Sequence, residues 1–232
     1  MKNSLKIRWI GQGGYLLSDG ETEICIDPYL SDVVNRVAGR ARMVKAPFSP
    51  KELKSDCVIC THDHLDHVDI DAIPEMDRSI PFYAPSHAEK TLRGAGVEKY
   101  FPFDEGQSYT VGAFRIEAVY ACHSVPAIGV LLHHGDLTVY ISGDTEYDPR
   151  LEALKDRRID LMIICINGRL GNMNVDEAVR LTEILAPRLG IPTHYGMFES
   201  NTEDPEKYTS RLPHAVALDY NKAYNVEELL HV

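Results

Sequence analysis

Residues 60–69 of the chain read CTHDHLDHVD. They hold His62, His64 and His67, with the carboxylates Asp63, Asp66 and Asp69 between and after them. Neutral imidazoles and ionised carboxylates are the donors that divalent metal ions select. Burying that much polarity without compensation is costly, and a solvated loop gives no reason for the order H-x-H-x-D-H. The stretch therefore reads as a metal cage. In an extended chain His62 and His64 lie on one side. Asp66 and His67 follow around the turn and can face a second ion.

Three more apolar runs end in a good ligand. FRIEAVYA leads to His123, LTVYIS to Asp144, and the short IPT to His194. With CVIC ahead of THDHLDH, four separate strand-like runs each end in one. Sites in open α/β sheets gather at the carboxyl ends of strands, so these positions are candidates to converge. Five imidazoles and two carboxylates exceed the three or four ligands of a tetrahedral zinc. Two ions about 3.5 to 4 Å apart, sharing a carboxylate and a water, would use all seven. Zinc suits the histidine-rich set, and imidazole also suits iron.

The elements that must position these residues are partly visible. LKIRWIGQGGYLLSDGETEICIDPYL reads as three short strands, with turns at Gly11–Gly14 and Asp19–Gly20. The GQGG turn fits neither phosphate-loop nor dinucleotide-loop spacing. Residues 31–50 read as irregular and carry Arg36, Arg40, Arg42 and Lys45. A helix is expected near 86–93 and a strand-rich region over 108–142. DLMIICIN (160–167) is a continuous apolar run, the mark of a strand buried on both faces. Asn174–Ala186 carries a capping box, Asn174 with Glu177, and an apolar face of Val175, Ala178, Leu181 and Leu185. Pro187 ends it. Meandering strands followed by alternating strands and helices suggest an α/β fold of sheets covered by helices.

Composition bounds the function. The chain has 232 residues, enough for one sizeable core, and is expected to form a single domain over 1–232. Its formal net charge is −11 with no basic cluster, which disfavours nucleic acid as a main partner. No apolar run reaches membrane-span length, and the opening MKNSLKIRWIGQGG lacks the apolar core of a signal peptide. The odd set of Cys25, Cys57, Cys60, Cys122 and Cys165 reads as buried thiols in a reducing, cytoplasmic setting. A small-molecule substrate is the expected partner, and a homo-oligomer is left open.

The motif THDHLDH, followed in order by His123, Asp144 and His194, resembles the metallo-β-lactamase fold superfamily. GQGGYLLSDGETEICIDPYL looks like its N-terminal strands and SGDT like its bridging-aspartate motif. INGRLGNMNVDEAVRLTEILAPRLGIPTHYGMF is similar to the branch containing L-ascorbate-6-phosphate lactonase and related metal-dependent hydrolases. The resemblance implies a four-layer αβ/βα sandwich with metals at one edge of the paired sheets. It implies His62, His64 and His123 at one ion, Asp66, His67 and His194 at the other, and Asp144 between them. The lactonase likeness points to manganese as an alternative to zinc. Superfamily members with a redox di-iron centre typically carry Glu where this chain has His64, which favours hydrolysis.

The expected mechanism is attack by a hydroxide shared between two ions on a carbonyl or phosphoryl centre. Asp66 would bind one ion and orient the nucleophile. Four more residues are candidates around the centre. Asp27 could hydrogen-bond a ligand histidine, or serve as a turn residue before Pro28. Thr145 could hold Asp144. Asn167 and Arg169 follow a buried strand and could meet a polar substrate, and the set Arg36 to Lys45 could meet a phosphate. For Arg169 and the basic set a solvated surface is the alternative. Asp63 and Asp69 read as solvated or supporting acids. The substrate expected is a small anionic metabolite, with a sugar-phosphate lactone first. A phosphodiesterase or nuclease, and a non-catalytic metal sensor, are the competing functions.

Overall fold

The computed structural model describes residues 4–231. The first three residues of the N-terminal segment and Val232 lie outside the described residues. Strands β1 (Lys6–Gly11), β2 (Gly14–Ser18) and β3 (Glu23–Ile26) form the expected antiparallel opening. Their side chains alternate between two cores. Leu17, Ile24 and Ile26 join one, Leu16 and Cys25 the other. A sheet buried on both faces needs a layer on each side.

The stretch after β3 is less irregular than its sequence suggests. It contains α1 (Val33–Ala38), whose Val33 and Val34 pack with Tyr29, Met197 and Phe198. The helix is six residues long and the Asp32 side chain does not cap its backbone N–H groups, so the local signal is weak. The chain continues through β4 (Cys57–Ile59), β5 (Phe82–Ala84), α2 (Glu89–Gly94) and β6 (Tyr100–Pro102).

A second group follows. β7 (Ser108–Val111), β8 (Phe114–Tyr120), β9 (Ile128–His134) and β10 (Leu137–Ile141) pair antiparallel. β11 (Leu161–Cys165) and β12 (Leu189–Thr193) then run parallel to β10. All five residues of β11 are buried, as its apolar run demands. Between them α3 (Val175–Leu185) realises the capping box, with Glu177 N–H donating to Asn174 and Asn174 N–H to Glu177, each at 3.0 Å. α4 (Glu206–Thr209), β13 (Ala223–Asn225) and α5 (Val226–Leu229) complete the chain.

One sheet has seven strands in the order β13-β1-β2-β3-β4-β5-β6, the other six in the order β12-β11-β10-β9-β8-β7. The main core takes Ile7, Leu17, Ile24 and Ile59 from the first and Ile116, Val130, Val139 and Ile163 from the second. Leu92 of α2 packs with Val58 and Phe82 beyond the first sheet, and Ala178 and Leu181 of α3 pack beyond the second. The result is the α/β sandwich expected. β3 and β4 are parallel neighbours, and β8, β10, β11 and β12 share one direction. Their carboxyl ends therefore open together.

Four cysteines are buried free thiols, but Cys122 is partly exposed beside His123, against the expectation that all five are core. No helix among the described residues is long and apolar enough to cross a membrane.

Of the two roles open to Asp69, solvated or supporting, the structure shows the supporting one. Asp69 is 1% exposed, and its carboxylate accepts hydrogen bonds from Leu30 N (2.9 Å), Ser31 N (2.7 Å) and Ala72 N (3.0 Å). One side chain thus joins the loop after β3 to the turn that carries the histidine motif. Orphaning buried N–H groups costs roughly 1–3 kcal/mol each. Asp69→Ala is expected to lower stability by about 3 kcal/mol on that basis. Urea unfolding checks this, and an unchanged midpoint would show that the staple is dispensable.

Candidate metal centre

The seven proposed ligands meet at the shared strand edge. His62, His64, Asp66 and His67 follow β4, His123 follows β8, Asp144 follows β10, and His194 follows β12. Three groups of potential ligands have their donor atoms within 4.8 Å of one another: His62–His64–His123, His62–His67–Asp144 and Asp66–His67–His194.

In the first group His64 Nδ1 lies 3.0 Å from His62 Nε2 and 3.2 Å from His123 Nε2. In the second position His67 Nε2 and His194 Nε2 each lie 3.8 Å from Asp66 Oδ2, and 3.4 and 3.1 Å from Asp144 Oδ1. Donors at about 2.1 Å from a tetrahedral ion are separated by about 3.4 Å. Both sets have that spacing. Asp144 faces both ways, because its Oδ2 lies 4.0 Å from His62 Nε2 while Oδ1 faces His67 and His194. His67 Nε2 and Asp144 Oδ1 are buried and have no hydrogen-bond partner. Two orphaned polar atoms facing one another at 3.4 Å fit a cation that both would hold.

Local hydrogen bonds fix which ring nitrogen is free. Asp27 is fully buried and accepts from Thr61 N (2.7 Å), Thr61 Oγ1 (2.7 Å) and His67 Nδ1 (2.8 Å). With its proton given to Asp27, Thr61 Oγ1 can accept from His62 Nδ1 at 3.1 Å. One carboxylate thereby orients the rings of two candidate ligands and turns both Nε2 atoms toward the centre. His123 Nδ1 donates to Gly171 O at 2.9 Å, which frees its Nε2 in the same way. Gly171 is at φ 86, and an added Cβ would lie 2.8 Å from His123 Nδ1, so only glycine fits that close approach.

The candidates around the ligands separate. Thr145 does not bond Asp144. Its Oγ1 accepts from Cys122 N at 2.9 Å and donates to Glu146 O at 2.8 Å, clamping the His123 loop to the Asp144 loop. Asn167 is 2% exposed and bonds Asn201 Oδ1 (2.8 Å) and Asn172 Nδ2 (3.0 Å). Arg169 donates to Ser200 O at 3.2 Å. Both brace loops, and neither lines the cavity over the ligands. Asp63 lies 3.5 Å from His87 Nε2, away from the ligand groups. Gln12 escaped sequence reasoning. It is fully buried, and its Nε2 reaches Asp66 Oδ2 at 2.7 Å. The only sequence signal was its place in a GQGG turn after an apolar strand.

That cavity, of about 480 Å³, has His64, Asp66, Asp144 and His194 on its floor, with Val34, Leu65, Leu170 and Phe198 as apolar walls and Arg40 at its side. Two other arginines of the basic segment are engaged elsewhere. Arg36 pairs with Asp71 at 2.6 Å, and Arg42 bonds the carbonyls of Tyr29, Ser31 and Val44.

Seven non-glycine residues among those described have positive φ, and four of them belong to the centre or its cavity: Gln12 (52°), Asp27 (44°), His194 (65°) and Leu170 (56°). Such conformations persist where surrounding contacts over-determine them and cluster at functional sites.

Residues 22–195 match the family model for the β-lactamase superfamily domain. A UPF0173 metal-dependent hydrolase of Thermoplasma acidophilum is 28% identical over 214 residues, which is 88% of this chain and 89% of that protein. Among solved structures, a metallo hydrolase of Ignicoccus hospitalis superposes with a TM-score of 0.78 at 18% identity, covering 95% of this chain and 97% of the other. An isothiocyanate hydrolase from Delia radicum gut bacteria gives a TM-score of 0.78 at 18% identity, with 94% and 98% covered. The chain belongs to the metallo-β-lactamase superfamily, and with this donor set it is a metal-dependent hydrolase of that superfamily.

Electrostatics distinguishes the two halves. Burial, then the neighbouring His67, holds the His62 imidazole well below the ordinary histidine range. Burial and His123 likewise lower His64. At His67 burial also opposes the charge, but Asp144, Asp27 and Asp66 outweigh it and push the imidazole well above the ordinary range. Burial raises Asp144, and His194 and His67 overcome it to hold the carboxyl well below the usual range. A metal must displace the proton from His67, whereas His62 and His64 are already neutral.

Two outcomes follow. Asp27→Asn should weaken metal affinity by about 10- to 100-fold, the usual effect of losing a carboxylate behind a ligand histidine. Equilibrium dialysis would reveal this, and unaltered affinity would deny Asp27 its role. Metal loading near pH 7 should release more protons at the Asp66–His67–His194 position than at the other. Acidification should therefore empty that position first. Titration calorimetry in buffers of different ionisation enthalpy tests the difference, and equal proton release from both steps contradicts it.

Proposed function

We propose that the chain is a dinuclear hydrolase of small anionic esters, with sugar-phosphate lactones as the leading substrate class. The observation that carries the dinuclear reading is Asp144, whose two oxygens face different imidazole groups. His62, His64 and His123 would hold one ion, and Asp66, His67 and His194 the other. Two zinc or manganese ions bound there would supply hydroxide at neutral pH and polarise a substrate carbonyl.

The protein's own residues do the rest. Asp66 lies on the cavity floor and is more exposed than Asp144 beside it, so it can orient a nucleophile toward the cavity. Its carboxylate is held from behind by the Gln12 amide at 2.7 Å. Among the described residues Arg40 is the one lysine or arginine lining the cavity, and it makes no ion pair there. A guanidinium so placed supports an anionic substrate, because its planar fork matches a phosphate or carboxylate. The cavity walls support a second reading. Val34, Leu65, Leu170 and Phe198 would also suit an electrophilic carbon on an apolar body, the class named for the Delia radicum neighbour.

The test is turnover by the metal-loaded protein on phosphorylated lactones, neutral lactones, aryl isothiocyanates and aryl phosphodiesters. Phosphorylated lactones should give the highest kcat/KM. Arg40→Ala should raise KM for them about tenfold, the worth of one charged hydrogen bond, and leave neutral lactones unchanged. Asp66→Asn should lower kcat by about 100-fold or more on every substrate turned over. Metal-loaded protein that cleaves none of the panel would favour a sensing role, and preference for isothiocyanates would favour the second reading.

A further inference from the structure

Asn201 lines the cavity over the ligand groups, although it is only 4% exposed. It stands in the loop after β12, downstream of His194 and of the wall residue Phe198. Its backbone N–H donates to Phe198 O at 3.0 Å, which closes a tight turn. Its side chain ends a row of three buried carboxamides. Asn172 Nδ2 donates to Asn167 Oδ1 at 3.0 Å, and Asn167 Nδ2 donates to Asn201 Oδ1 at 2.8 Å. The row ties the loop after β11 to the loop after β12, and the Arg169 guanidinium adds a second tie at Ser200 O.

The direction of the row is fixed. A carboxamide donates only through nitrogen and accepts only through oxygen, so reversing one member would force its neighbours to reverse. Arg169 O lies 3.3 Å from Asn167 Nδ2, and a backbone carbonyl can only accept. That contact holds the Asn167 nitrogen in place and leaves its other N–H for Asn201. Asn201 must then give its oxygen to Asn167 and turn its nitrogen away. Asn201 Nδ2 has no acceptor among the described residues and is not sealed from the cavity, unlike the buried Asn172 Oδ1 at the other end of the row. Hydrogen bonds in series polarise one another, which strengthens the donor at the end of the row.

A donor left unpaired on a buried residue is unfavourable unless a ligand meets it. A few polar groups in a largely apolar pocket fix the orientation of a ligand, and a site built around a donor rejects ligands that lack an acceptor. Arg40 supplies a charged donor for an anionic group. We propose that Asn201 is a specificity-determining residue whose Nδ2 donates to an oxygen of the scissile ester or lactone. This rests on the reading of the chain as an ester hydrolase and names the substrate atom that the cavity recognises. Ester oxygens accept and cannot donate, which is what the fixed orientation of Asn201 demands. The ester must lie over the floor of Asp66, Asp144 and His194 to react, and Asn201 borders the same cavity. Its effect is therefore common to neutral and phosphorylated lactones, whereas that of Arg40 is confined to charged ones.

The test pairs kinetics of the zinc-loaded full chain with nuclear magnetic resonance of its side-chain amides. Asn201→Asp keeps an oxygen for Asn167 and replaces the free N–H groups by an acceptor. Asn201→Leu removes both. The neutral substrate γ-butyrolactone excludes charge repulsion by the new carboxylate. On it each variant should raise KM about three- to tenfold, the worth of one neutral hydrogen bond, with zinc content unchanged. Asn201→Leu should show the same rise on phosphorylated lactones. Unaltered KM on γ-butyrolactone in both variants would overturn the proposal, as would a rise on phosphorylated lactones alone. An equal rise on phenyl isothiocyanate, which carries no oxygen, would also overturn it, because it would mean a general disturbance of the cavity. In the unaltered chain the Asn201 side-chain amide protons, identified by their loss in Asn201→Asp, should exchange with water faster than those of Asn167. The reverse order would mean that the row runs the other way, and would refute the proposal without any substrate. If no lactone is hydrolysed, the ester-hydrolase reading fails on its own. The Asn201 amide signals should then still shift when γ-butyrolactone is added, and their constancy would overturn the proposal. If the leucine variant does not fold, Asn201→Asp, which keeps the bond from Asn167, decides.

Discussion

The centre depends on one buried carboxylate. Asp27 stands at the end of β3, with its N–H bonded to Ile59 O at 2.9 Å, so the parallel pairing of β3 and β4 sets its position. From there it takes three hydrogen bonds, two from Thr61 and one from His67. A carboxylate in a site with no solvent contact is stable only when its lone pairs are satisfied. Thr61 and His67 satisfy them, and the same bonds fix the ring of His67 and, through Thr61, that of His62. A turn of histidines is floppy in principle. Its geometry here comes from the sheet, carried through Asp27.

The second constraint is electrostatic. Four imidazole rings crowd together, with His62 centred 4.0 Å from His67, 4.6 Å from His64 and 4.7 Å from His123. Imidazoles in that arrangement cannot all be charged. The folded chain resolves this by keeping His62 and His64 neutral through burial and by concentrating positive charge on His67, which Asp27, Asp66 and Asp144 surround. The metal-free centre is thus poised unevenly. His62 and His64 are thereby kept as lone-pair donors, whereas the acids around His67 favour its charged form. Asp144 faces both halves, its Oδ2 toward His62 and its Oδ1 toward His67 and His194.

The legible and illegible parts of this structure divide by the range of the interactions that make them. β11 and α3 were clear in the sequence, because a continuous apolar run and a capping box are local signals. The ligands were clear because metal chemistry restricts residue types, and four strand ends carrying those types is a repeated pattern. α1 was not legible, since six residues without a side-chain cap bond owe their helicity to packing on Tyr29, Met197 and Phe198. Asp69 could not be assigned between a solvated and a supporting role because its partners Leu30 and Ser31 are nearly forty residues away. For Asn167 and Arg169 the sequence left a polar substrate contact open, with a solvated surface as the alternative for Arg169, and only the fold shows the loop hydrogen bonds that both make. Gln12 was the least legible. Its bonds reach 54 and 182 residues along the chain, and no pattern within the GQGG turn encodes them.

The cavity wall raises a different physical question. A metal floor is strongly polar, yet Val34, Leu65, Leu170 and Phe198 surround it, and Leu170 is 56% exposed in a left-handed conformation. Positive-φ conformations outside glycine cluster at functional sites, and this leucine lines the cavity. An apolar wall excludes water from the space above the ligands, and charges interact more strongly as water leaves. The same wall weakens binding of a fully hydrated sugar unless another group compensates. Arg40, at the side of the cavity, is the group able to do so for an anionic substrate. On the proposed reading, the balance between one guanidinium and four apolar side chains would set substrate choice, while the candidate ligands below would be indifferent to it.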